Sequence, residues 1–107
     1  LEVVGRDDDV VNAGGVKLDL AAIDRELLEI DGVDDAASFL FRDSDGLPAV
    51  GVAFVTRRVL APDDVVATLR VRFATMTVRA CIRVDAVPRT ATGKVTRIPL
   101  SRLMETR

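Results

Sequence analysis

The sequence predicts an α+β domain, and three observations carry that prediction. Apolar residues recur at helical spacing in two stretches. They alternate with period two in others, and turn-forming residues separate the segments. The expected architecture is a small mixed or antiparallel sheet with flanking helices, preceded by a short two-stranded hinge segment over 1–18. At 107 residues the chain is sized for one modest core. A hydrophobic share of 49% and the lack of polar tracts point to a folded chain.

The elements follow in order. Val3-Val4 and Val10-Val11 read as short strands on either side of Gly5-Arg6-Asp7-Asp8-Asp9. Three consecutive aspartates repel one another and mark a turn or joint. Gly14-Gly15 reads as a second tight turn. Asp19 is placed to cap a helix over about 20–30, with Leu20, Ile23, Leu27 and Ile30 as its apolar stripe and Gly32 as its stop. Ala37, Phe39 and Phe41 alternate with Ser38, Leu40 and Arg42, Asp43-Ser44-Asp45-Gly46 turns, and 49–56 returns as the second arm of a hairpin. Pro62, followed by Asp63 and Asp64, starts a second helix whose buried side is Val65, Val66, Leu69 and Phe73. A strand over about 80–85, a loop, and a short helix begun by Pro99 complete the chain.

Composition narrows the chemistry. Histidine is absent, which removes Ser-His and Cys-His nucleophile pairs and imidazole metal sites made by this chain alone. No metal site is expected. The single cysteine, Cys81, lies in an alternating run and reads as an inert, buried or half-buried thiol. No stretch reaches the roughly 20 apolar residues of a membrane span, and no signal peptide is visible, so a cytoplasmic location is expected. The chain starts at Leu1, within a strand-like run, and is expected to be a piece of a longer protein with a missing N-terminal part. Net charge is −2 but unevenly placed: residues 1–56 carry −9 and residues 57–107 carry +7. Two readings stand, two solvated surfaces of opposite sign or a positive face for a phosphate-bearing ligand. Nucleic acid fits poorly, because the basic residues are spread singly and Tyr and Trp are absent.

The sharpest local feature is Pro88-Arg89-Thr90-Ala91-Thr92-Gly93-Lys94-Val95-Thr96-Arg97. Proline fixes the start of the loop, small residues follow, and glycine permits a tight turn. Lys94 is thereby expected on a projecting tip, where its cationic arm reaches a phosphate or carboxylate held by another surface. A P-loop does not fit. The first glycine of G-x-x-x-x-G-K-S/T would fall on Pro88, and Val95 stands where the magnesium-binding hydroxyl should be.

Two motifs in order point further. Gly5-Arg6-x-Asp8-Asp9-x-x-x-x-Gly14-Gly15 is followed 73 residues later by Pro88-Arg89-Thr90-x-Thr92-Gly93-Lys94-x-x-Arg97. The pair resembles the C-terminal domain of the adenylate-forming superfamily, which includes acyl- and aryl-CoA synthetases, adenylation domains of nonribosomal peptide synthetases, and luciferases. The resemblance spans nearly the whole chain, including Ile23, Gly32-Val33-x-Asp35-Ala36-Ala37 and Val84-Asp85-Ala86-Val87-Pro88.

That resemblance implies a ligase acting in two steps. A carboxylic acid and ATP, with Mg2+, give an acyl-adenylate, and the acyl group then passes to the thiol of CoA or of a carrier-protein pantetheine. It implies a partner in the protein's own N-terminal adenylation domain, which holds most of the nucleotide site. It matches Lys94 to the lysine that assists adenylation, and Arg6 and Lys17 to positions near the nucleotide. It matches Asp8 to the hinge, and Gly14 and Gly15 to the pantetheine tunnel. Plainer readings stand beside these: a solvated loop lysine for Lys94, a solvated turn for Asp8, a hairpin turn for Gly14-Gly15, a surface ion pair for Arg6, and for Arg97 a structural pairing with an acid or a carbonyl. Two segments depart from the family. The usual Pro-x-Glu-Ile-Glu reads Leu20-Ala21-Ala22-Ile23-Asp24, which loses a carboxylate at the helix start. The usual Tyr-Lys-x-Pro reads Thr75-Met76-Thr77-Val78, which loses an aromatic, a base and a rigid turn from a surface that often faces the partner domain or thiol donor. CoA is the expected acceptor. A carrier-protein-loading enzyme, or a binding module that kept the fold without catalysis, is the alternative.

Overall fold

The structure, a computed structural model, describes residues 10–13, 16–73 and 78–105. The expectations for Val3-Val4, Arg6, Asp8, Gly14, Gly15 and Thr75–Thr77 lie outside the described residues. Strands β1 (Val10–Ala13) and β2 (Val16–Asp19) pair antiparallel, with Val10 opposite Asp19 and Ala13 opposite Val16. Helix α1 (Leu20–Leu28) follows at once. Asp19 Oδ1 accepts the Ala21 and Ala22 amides at 3.0 and 3.3 Å. No acid lies in the first turn, so this capping carboxylate supplies the negative charge that the helix N-terminus favours. The helix closes at Glu29, slightly before the expected end, and Gly32 turns the chain at φ +96°.

Strands β3 (Asp35–Arg42) and β4 (Pro48–Val55) form the expected hairpin. Its turn is held by Asp43, whose Oδ1 accepts the Asp45 and Leu47 amides at 2.9 and 3.0 Å. Helix α2 (Pro62–Arg72) starts at Pro62 as expected, with Ala61 in the capping position offering no side-chain bond. Val65 and Leu69 are fully buried, whereas Val66 and Phe73 are only half-buried. Strand β5 (Val78–Arg83) begins earlier than the alternation suggested and runs parallel to β4. The order β3-β4-β5 makes the sheet mixed. Helix α3 (Ile98–Glu105) ends the described chain, with Pro99 in its second position.

Both faces of this sheet are covered. Leu20, Ile23, Leu27, Val65 and Leu69 pack with Ala36, Val50, Val52 and Phe54 on one face. Leu100 and Val87 pack with Ala37, Phe39, Phe41 and Ala53 on the other. This explains why Ala36–Phe39 are buried without a break where the sequence suggested alternation. Gly51 sits opposite Phe39, and a Cβ there would lie 2.5 Å from the Phe39 ring. The glycine makes room for the ring.

β3 is an edge strand, and its outward backbone groups are taken up by side chains. The Ser38 amide donates to Asp24 Oδ1 at 2.6 Å, and Arg97 Nη1 donates to the Ser38 carbonyl at 2.7 Å. Ser101 Oγ donates to the Leu40 carbonyl, and the Arg42 amide donates to Glu105 Oε2 at 3.0 Å. These bonds close the edge against strand addition. They also fasten α1, the 88–97 loop and α3 to one strand.

Candidate functional site

The 88–97 loop is a small hairpin built on local chemistry. Arg89 and Val95 form an antiparallel bridge. The Thr90 amide donates to the Lys94 carbonyl at 2.8 Å, and the Thr96 amide to the Pro88 carbonyl at 3.0 Å. At the tip the Gly93 amide donates to the Thr90 carbonyl at 2.9 Å, and the Lys94 amide to Thr90 Oγ1 at 3.2 Å. Thr90 Oγ1 and Thr92 Oγ1 share a bond of 3.0 Å. Gly93 has φ +90°, a region that side chains other than glycine adopt at a cost. Val87 and Val95 root the loop in the α3-side core, and residues 89–94 are exposed. Lys94 thus stands on an exposed tip with a fixed base, as the sequence suggested.

Two arginines tie the loop to the sheet. Arg89 Nη2 donates to Asp35 Oδ1 at 2.6 Å, and its Nη1 donates to the Gly93 carbonyl at 3.0 Å. Arg97 Nη1 donates to Asp24 Oδ2 at 2.9 Å as well as to the Ser38 carbonyl. Arg97 therefore bonds both an acid and a carbonyl, its structural reading. Its side chain is 14% exposed and that of Asp24 12%. Asp24 also accepts the Ser38 hydroxyl at 2.8 Å. Across the domain, Arg58–Asp31, Arg72–Glu26, Arg89–Asp35 and Arg97–Asp24 each join a base of the second half to an acid of the first. Folding neutralises part of the asymmetry in pairs.

Lys17 is exposed on β2, opposite Asn12. Its hairpin packs through Val11 and Leu18 against the α1-side core, so Lys17 and Lys94 are rooted in cores on opposite faces of the sheet. Arg6, Asp8, Gly14 and Gly15 fall outside the described residues. At the far end of β3, two adjoining grooves of about 300 and 250 Å³ share Phe41, Arg42 and Glu105, and Asn12 lines the second. The Lys94 loop is tied to Asp35, at the other end of the same strand. Seven strand steps separate the ends, about 23 Å at 3.3 Å per residue.

Sequence reasoning missed Asp24, Asp35 and Ser38 as anchors. A signal existed for Asp24, since it falls four residues after Leu20 on the apolar stripe, where a carboxylate needs a partner. Cys81 is half-buried and packs against the α1-side core. Burial first, and then the Asp63 carboxylate, push its thiol up from 9.0 to about 12. The thiol stays protonated at neutral pH, the inert state expected of it. Among the described residues no group of three or more Cys, Asp or Glu side chains gathers as a metal site.

Comparison with known proteins defines the class. The chain is 33% identical to surfactin synthase subunit 3 of Bacillus subtilis (strain 168) over 96 residues, covering 89% of this chain and 8% of that protein. It is also 33% identical over 99 residues to a CoA ligase of Rhodococcus jostii (strain RHA1) for a methyl-dioxo-octahydroindenyl propanoyl group, covering 89% of this chain and 19% of the ligase. An ATP-bound RpMatB–BxBclM chimera superposes with a TM-score of 0.80 at 26% identity, over 96% of this chain and 21% of the chimera. No family model matches the chain. The chain belongs to the adenylate-forming enzymes and corresponds to their C-terminal domain. It spans 8% and 19% of the length of those two curated relatives.

Proposed function

We propose that this chain, as one domain over 1–107, is the mobile C-terminal domain of an ATP-dependent carboxylic acid–CoA ligase, with Lys94 assisting adenylation. The observation that carries the reading is the placement of two features at opposite ends of β3. The Lys94 tip is fastened to Asp35, and the groove lined by Asn12 lies beside Arg42. Features anchored at strand ends about 23 Å apart face a common reaction centre only in turn. One orientation brings the Lys94 ammonium to the carboxylate and α-phosphate. The other withdraws it and presents the β1–β2 hairpin to the thiol. Asp8 is the pivot, Gly14 and Gly15 line the pantetheine tunnel, and Arg6 and Lys17 lie near the nucleotide. ATP with Mg2+ is held mainly by the protein's own N-terminal adenylation domain, CoA is the cosubstrate, and the location is cytoplasmic. The 107-residue chain alone is inactive.

The chemistry suits the residues. Charge develops on phosphate oxygens, and a positioned ammonium stabilises it without a histidine base. A charge pair at about 4 Å and an effective dielectric of about 20 has a Coulomb energy of roughly 4 kcal/mol. Realised only in the transition state, that is about a thousandfold in rate. The test is Lys94→Ala in the whole enzyme. ATP–pyrophosphate exchange should fall by two to three orders of magnitude, while thioester formation from supplied acyl-adenylate stays within a few-fold. Equal slowing of both half-reactions overturns the reading.

The second reading is an enzyme that loads a carrier-protein pantetheine. The likeness to a synthase subunit supports it as much as the likeness to the CoA ligase supports the first, with 33% identity in each. Thioester formation from free CoA decides between the two.

A further inference from the structure

We propose that Arg89 and Asp35 are positioning residues for Lys94, acting through the carbonyl of Gly93; this rests on the adenylation role proposed above for Lys94. Arg89 is a planar fork with each prong engaged. Nη1 donates to the Gly93 carbonyl at 3.0 Å, and Nη2 donates to Asp35 Oδ1 at 2.6 Å. The Gly93 carbonyl belongs to the peptide group whose nitrogen is that of Lys94. The fork therefore fixes the plane from which the lysine departs. Asp35 is itself held, since its Oδ1 also accepts the Ala36 amide at 2.9 Å. A continuous path runs from the backbone of β3 through Asp35 and Arg89 to the base of Lys94.

The tip depends on this path because packing does not hold it. Residues 89–94 are exposed, and nothing lies within 4 Å of the place where a Gly93 side chain would begin. Glycine adds backbone freedom at the residue before the lysine. Without the fork, Gly93 and Lys94 keep their local bonds to Thr90 but lose the arginine's link to Asp35. The reaction requires the ammonium within ångströms of a phosphate oxygen, and a misplacement of about 1 Å is worth up to about a hundredfold in rate. Lysine in place of arginine keeps the charge but not the rigid two-pronged geometry.

The test uses the whole enzyme and measures the two half-reactions separately. Arg89→Ala and Asp35→Ala should each lower kcat for ATP–pyrophosphate exchange about 10- to 100-fold, with KM for ATP changed less than about threefold. The double variant should be within about twofold of the slower single variant, because one link is broken in every case. Arg89→Lys should recover less than about a third of the lost rate. Thioester formation from supplied acyl-adenylate should stay within about twofold throughout. Normal exchange in Asp35→Ala beside slow exchange in Arg89→Ala would mean that Arg89 acts on the ligand itself, and overturns the inference. Full activity in Arg89→Lys, or equal slowing of both half-reactions, overturns it too. Lys94→Ala is measured alongside. If that variant exchanges normally, the adenylation role of Lys94 fails. If it is slow while Arg89→Ala is normal, the positioning inference alone fails.

Discussion

Removing the Asp24 carboxylate should be among the most damaging single changes in this domain. Asp24 accepts three bonds, from the Ser38 amide at 2.6 Å, the Ser38 hydroxyl at 2.8 Å and Arg97 Nη1 at 2.9 Å. Asp24→Ala takes the Asp24 charge away from the Arg97 guanidinium, whose side chain is 14% exposed. Breaking a buried pair from one side costs about 3–5 kcal/mol. Two groups keep a partner: Arg97 retains the Ser38 carbonyl at 2.7 Å, and the Ser38 hydroxyl retains the Leu20 carbonyl at 3.0 Å. The Ser38 amide loses its bond to Asp24. Weighing these together gives about 3–4 kcal/mol, a large part of the roughly 5–15 kcal/mol that holds a domain folded. Asp24→Asn keeps an oxygen for Ser38 and should cost about 2 kcal/mol. Combining Asp24→Leu with Arg97→Met should recover at least about half of the Asp24→Ala loss, since no charge is left buried. Urea unfolding of the 107-residue chain, followed by circular dichroism, measures this as a shift in midpoint at constant slope. A loss below about 1 kcal/mol for Asp24→Ala would refute the argument that this network holds the loop, α1 and β3 together.

Other outcomes follow from the same geometry. Gly51→Ala should cost about 1–3 kcal/mol by the same unfolding assay, because the new Cβ would meet the fully buried Phe39 ring at 2.5 Å; Phe39→Leu should relieve part of that added loss. Lys94→Ala should change stability by less than about 0.5 kcal/mol, since the side chain is exposed on the loop. The Cys81 thiol ionises near 9 when unfolded and near 12 when folded, so at pH between these values the unfolded state binds fewer protons. Stability should therefore fall as pH rises above about 9, and Cys81→Ala should flatten that slope; an identical slope in both proteins assigns it to other groups.

The sequence by itself determined the elements and the loop, because their causes are local. Asp19 caps the helix that begins at the next residue, and Pro62 opens a helix where its missing amide costs nothing. Asp43 and Gly46 close the β3–β4 turn within five residues. Thr90, Gly93 and Pro88 build the Lys94 hairpin from groups only a few positions apart. Tertiary structure alone decided what holds that hairpin. Asp24 meets Arg97 across 73 residues and Asp35 meets Arg89 across 54, and no periodicity encodes which acid finds which base. It also made the sheet mixed, since the pairing of β4 with β5 depends on how α2 carries the chain back. Covering both sheet faces then buried Ser38, which alternation had placed outward. Local chemistry sets the shape of a segment, and the partners of its side chains are set by which distant segments the core brings beside it.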